Sequence, residues 1–154
     1  MCSSDLAANE LNRAKNFLPE DALITQSLAR VEVNRGIDLA NEGACDEARP
    51  HLVAAMEGEP GLAEKVTATL GICAGQRAGK AAAVGDWVTV LAEVRRGLRD
   101  APKDEGLKQN LGIALHNHAS SLLNAGRCDE VRALKPELDP TDARLMAAVK
   151  QTCP

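Results

Sequence analysis

A chain of 154 residues, 45% of them apolar, is long enough to bury a core, and its formal net charge of -4 gives no broad electrostatic reason to bind nucleic acid or an anionic membrane. Phe17 and Trp87 are the only aromatic residues, and no apolar run reaches the roughly 20 residues that a bilayer-spanning helix needs. No basic stretch leads into an apolar one near Met1, so no intact signal peptide is expected in these residues.

Apolar spacing is helical throughout, and no stretch alternates with the period of two expected of a strand. The first helix is predicted over 4–18, stopping at Pro19, and the second over 20–42, closed by Gly43. Six more follow at 45–57, 62–84, 86–100, 104–125, 128–138 and 141–152. Pro60, Pro102 and Pro140 punctuate the connections, where proline ends one helix and can begin another.

The pattern repeats. Leu28, Leu70 and Leu111 are each followed fifteen residues later by a glycine, Gly43, Gly85 and Gly126, which defines a unit of about 42 residues. The stretch Gly43-Ala44-Cys45-Asp46-Glu47-Ala48-Arg49 recurs as Gly126-Arg127-Cys128-Asp129-Glu130-Val131-Arg132, while the middle unit has Gly85-Asp86-Trp87. An all-α single domain over 1–154 is expected, with units 28–69, 70–110 and 111–154 after the first helix. Stacked helical units offer extended binding surfaces more readily than a buried catalytic cleft.

These units resemble tetratricopeptide repeats. The residues that carry the resemblance are small ones seven positions before the turn glycine, Gly36, Ala78 and Ala119; Ala48, Val90 and Val131 five positions after it; and Pro60 and Pro102 near the unit ends. The resemblance covers about residues 28–140. It departs from the family at Leu39, Ala81 and Leu122, where bulky aromatics are usual, and in first helices about two turns longer than the family's. It implies a short solenoid of antiparallel helix hairpins that binds protein, without naming the partner.

Five cysteines make no Cys-x-x-Cys pair, and no histidine spacing completes a zinc site. In two antiparallel helices, residues equidistant from the joining loop lie side by side. The midpoint of Cys45 and Cys73 falls next to Pro60, and that of Cys128 and Cys153 next to Pro140. Helices roughly 8 to 10 Å apart can bring facing Cα atoms to the approximately 5.5 Å of a disulfide. Other pairings must skip over stacked helices, so disulfides 45–73 and 128–153 are expected, with ordinary buried thiols as the alternative; disulfides imply an oxidising compartment. Trp87 stands in the column of Cys45 and Cys128, where it is expected to fill the seam they staple. The remaining Cys2, followed by Ser3 and Ser4, is similar to the mature start of a bacterial lipoprotein. That resemblance implies lipidation of Cys2 and an outer-membrane anchor; an incidental terminal thiol is the other reading.

The long first helices carry uncharged polar residues at heptad spacing: Ser27, Asn34, Asn41; Thr69, Gln76, with Ala83 completing the column; and Asn110, Asn117, Asn124. Seven residues return a helix to within about 20° of the same direction, so each triplet shares a face. An amide offers both donor and acceptor, so Asn34, Asn41, Gln76, Asn117 and Asn124, with His116 beside them, are candidate contacts to the backbone of an extended peptide. Some tetratricopeptide superhelices use asparagine ladders in this way, and the resemblance places Asn41 and Asn124 in a column that points into the groove. A solvated face is the plain alternative.

The helix over 62–84 lacks bulk at Gly75, Ala78, Gly79, Ala82 and Ala83, which permits close helix packing or makes the floor of a ligand pocket. The string Gly75-Gln76-Arg77-Ala78-Gly79-Lys80-Ala81 lacks the first glycine and the hydroxyl of a phosphate loop. Neither a nucleophile with its base nor a paired acid and base is found by spacing. The expected function is a non-enzymatic, cofactor-free scaffold of the bacterial cell envelope. It would bind a protein or extended peptide during assembly or localisation of a complex, touch a membrane only through Cys2, and bind no nucleic acid. A periplasmic carrier for a small ligand over Gly75 and Gly79 is the alternative.

Overall fold

The computed structural model describes residues 3–153, with side chains from Leu6 onward, so Cys2 lies outside the described residues. Among these it is all-α: α1 (Ser3–Phe17), α2 (Ala22–Asn41), α3 (Cys45–Gly58), α4 (Ala63–Ala83), α5 (Trp87–Asp100), α6 (Glu105–Asn124), α7 (Cys128–Leu134) and α8 (Ala143–Thr152). Two 3-10 turns, Pro60–Leu62 and Lys135–Glu137, interrupt the series. No described helix is long and apolar enough to cross a membrane.

Every expected helix is present, and its ends are set by side-chain and turn chemistry. Helix α2 starts at Ala22 because the Asp21 carboxylate accepts hydrogen bonds from the backbone N–H groups of Leu23 and Ile24, at 2.8 and 3.1 Å. Asp86, Asp104 and Asp142 cap α5, α6 and α8 in the same way. The three repeat glycines adopt positive φ, 79° at Gly43, 73° at Gly85 and 68° at Gly126. Each closes its helix with paired backbone bonds: Gly43 N–H to Ala40 and Ala44 N–H to Leu39, Gly85 to Ala82 and Asp86 to Ala81, Gly126 to Leu123 and Arg127 to Leu122. Helix α7 is shorter than the expected 128–138. Pro136 has no N–H to continue the α pattern, and the chain tightens into the 3-10 turn.

The chain divides into two compact units, Met1–Cys73 and Ala74–Pro154. In the first, α1 packs on α2 and α2 on α3. Val33, Ala40, Ala48, Leu52 and Ala55 meet Val66, Leu70 and Cys73 of α4 in one core. Gly36 lets α2 approach Leu52: a Cβ there would lie 2.6 Å from Leu52 Cγ. In the second unit, α5, α7 and α8 pack on α6 around Val94, Ala119, Leu122 and Val131, all buried, with Ala78 and Ala81 of α4 in the same core. Gly97 does there what Gly36 does in the first unit, since a Cβ would come within 2.5 Å of the Ala74 methyl.

Both expected disulfides are present. Cys45–Cys73 spans 5.5 Å between Cα atoms and Cys128–Cys153 spans 5.1 Å. Each joins the first residue of a helix that follows a turn glycine to a cysteine near the end of its unit's chain segment. Trp87, at the corresponding first position of α5, is half-buried and packs against the second unit's core. The small residues of α4 divide: Ala78 is buried in the second unit's core with Ala82 packed against it, whereas Gly75 and Gly79 face open space, where a Cβ would meet nothing within 4 Å.

Candidate functional site

The heptad stripe does not survive as one class of residue. Asn34 and Asn41 are exposed on α2, while Thr69 is buried and its hydroxyl donates to the Lys65 carbonyl at 2.8 Å. Thr69 is thus a structural residue: the spacing gives its direction, and packing covers that direction. Gln76 is half-buried on α4, within the second unit. On α6, Asn110 and Asn124 are exposed and Asn117 is half-buried.

The richest grouping is on α6 and α8 of the second unit. His116 and Asn117 line a cleft of about 380 Å³ whose other wall is the chain from Glu137 into α8. His116 also borders a second hollow of about 230 Å³ together with Asn124, Arg144 and Thr152. Three of the six candidate contact residues therefore lie along one α6–α8 surface. Among the described residues, the amides of Asn117 and Asn124 make no hydrogen bond to another side chain or to the backbone. Their donors and acceptors remain available.

The cleft is built on turn chemistry that periodicity does not reveal. Asp139 accepts from the Thr141 N–H at 2.8 Å and the Thr141 hydroxyl at 2.6 Å. Asp142 caps α8 through the Leu145 N–H at 3.0 Å, and its second oxygen lies 2.7 Å from Nδ1 of His116, whose ring N–H donates to it. Arg95 reaches Glu137 at 2.6 Å. Ile113, Leu115, Leu138 and Leu145 complete the lining. The available signal was Asp139-Pro140-Thr141-Asp142, a turn followed by a helix cap, which marks structure rather than a site.

The Thr141 hydroxyl, then its N–H, holds Asp139 below the usual carboxylate value of 3.8. For Asp142 the Leu145 N–H acts first and His116 second. Thr89 depresses Asp86 likewise. Burial, the largest influence on His118, keeps it below its usual 6.5. All four folded values are lowered, so the stability they contribute is present above the unfolded values and is lost as pH falls through the folded ones. Thermal melts should therefore weaken in two stages, first below about 6.5 and again below about 3.8. His118→Gln should abolish the first stage; an unchanged profile in that variant would remove His118 from the account.

Among the described residues, no group of three or more His, Cys, Asp or Glu side chains is placed to hold a metal ion. The chain matches no protein-family model, no curated protein and no solved structure.

Proposed function

We propose that this chain is a non-enzymatic, tetratricopeptide-like scaffold of the bacterial cell envelope that binds a protein or an extended peptide. The observation that carries the reading is the α6–α8 surface, where the amides of Asn117 and Asn124 flank clefts beside His116. Such groups suit a peptide backbone, which presents one donor and one acceptor at each residue. Asn34 and Asn41 supply similar groups on α2. Two intramolecular disulfides favour an oxidising compartment such as the periplasm, and anchoring to the outer membrane would go through lipidation of Cys2.

The test is capture of partners from an envelope extract by wild-type protein and by an Asn41→Ala, Asn117→Ala, Asn124→Ala variant. Each lost amide should weaken binding by about 0.5 to 1.5 kcal/mol, so single substitutions are mild and the triple variant loses most of its capture. Melting temperature should hold, because alanine is the better helix former. Undiminished capture by a folded triple variant would make the stripe a solvated face. Unfolding of that variant would show the amides to be internal ties.

A further inference from the structure

The cleft beside α6 has a chemical character that narrows the partner. Ile113, Leu115, Leu138 and Leu145 give it an apolar wall, and Glu137, Asp139 and Asp142 place three carboxylates around it. No lysine or arginine lines it; the one basic group in the lining is the His116 imidazole. Arg95 pairs with Glu137 from outside that lining. Its volume of about 380 Å³ lies within the range of about 300 to 1,000 Å³ typical of ligand clefts.

The carboxylates are held by different anchors: Asp139 by its own turn, Asp142 by the α8 N-terminus and His116, Glu137 by Arg95. Arg95 offsets Glu137, so the net negative charge at this apolar wall is carried by Asp139 and Asp142, and it repels acidic segments. A plain hydrophobic segment gains nothing from that charge. A side chain with an aliphatic stem and a cationic head satisfies both parts, because the stem lies on apolar surface while the head reaches the rim. With no metal-holding cluster among the described residues, an organic cation is the fitting charge.

We propose that this cleft receives a lysine or arginine side chain of a bound peptide, with an adjacent aliphatic side chain of the same peptide against Ile113 and the Asn117 amide on its backbone. The proposal rests on the peptide-binding reading above and adds the class of segment bound: basic residues interleaved with aliphatic ones.

Fluorescence anisotropy on the full chain at about 0.15 M ionic strength, where charges more than about 8 Å apart are largely screened, tests it with three short labelled peptides. One alternates leucine and lysine, one has glutamate for each lysine, and one has glycine for each leucine. The first should bind, and each of the others should be roughly tenfold weaker or worse. Neutralising the rim with Glu137→Gln, Asp139→Asn, Asp142→Asn should weaken the leucine–lysine peptide by roughly tenfold. Removing the same charge elsewhere, with Glu10→Gln, Glu105→Gln, Asp129→Asn, should leave its affinity within about twofold. Ile113→Ser, at a residue 53% exposed and outside the buried core, should weaken the peptide without lowering the melting temperature.

Equal loss in the rim and control variants would reduce the effect to net charge and overturn the proposal. Equal binding of the glutamate peptide, or full affinity in Ile113→Ser, would overturn it as well. These failures are separable from failure of the scaffold reading, because envelope capture that depends on Asn41, Asn117 and Asn124 can persist without any preference for basic segments.

Discussion

Leu52→Ala should destabilise the first unit by about 2 to 5 kcal/mol, and adding Gly36→Ala to it should recover part of that loss. Leu52 is fully buried, and its Cγ and Cδ2 would lie 2.6 and 2.7 Å from a Cβ at Gly36. In the wild-type background Gly36→Ala therefore forces Leu52 aside. The strain is about 1 to 3 kcal/mol, against about 1 kcal/mol gained from alanine in a helix. Once Leu52 is shortened, its clash with the new methyl is gone and the helix gain remains, with the Ala48 carbonyl oxygen, 3.3 Å away, left as a tight contact that limits the recovery. The double variant should be more stable than the sum of the single effects by about 1 to 3 kcal/mol. Denaturant unfolding of all four proteins, with hydrogen exchange at the amides of α2 and α3 as the local readout, measures the coupling. Strict additivity would mean that Leu52 and Gly36 are not in contact.

Removal of either disulfide by paired Cys→Ala substitution should lower stability by about 3 kcal/mol, because each bridge restrains the unfolded chain over 28 or 25 residues. For Cys128→Ala with Cys153→Ala, Trp87 fluorescence follows the loss, since the indole packs against the core of the same unit. Peptide mapping without reductant should recover 45 joined to 73 and 128 joined to 153. Four free internal thiols in the folded, unreduced protein would contradict the structure and remove the support for an oxidising compartment.

Helices and bridges were legible for a shared physical reason. Apolar period, turn glycines and connecting prolines fix where each helix begins and ends, and two antiparallel helices reflect residues about the loop between them. Cys45 and Cys73 could be matched by that reflection together with the exclusion of pairings that skip over stacked helices. The cleft was not legible in this way. Glu137, Asp139 and Asp142 belong to a 3-10 turn and a helix cap, where each residue's direction depends on local bonds rather than on a period. Thr69 shows the complementary limit: heptad spacing gives an angle around an axis but not what covers that side. The helix glycines make the same point. Gly36 and Gly97 are pressed by neighbours while Gly75 and Gly79 are open, a difference that lies wholly in the facing helix.

The two bridges also decide how the backbone tolerates being cut. The turn at Pro60–Leu62 lies inside the ring closed by Cys45 and Cys73, and the turn at Lys135–Glu137 lies inside the ring closed by Cys128 and Cys153. A protease that nicks either turn leaves both fragments covalently attached across the bridge. The glycine turns at Gly43, Gly85 and Gly126 fall outside both rings, so a nick at any of them severs the chain outright. Where proteases are abundant, the connections within the rings can be cut without loss of any part of the molecule, whereas neither of these bridges spans the three glycine turns.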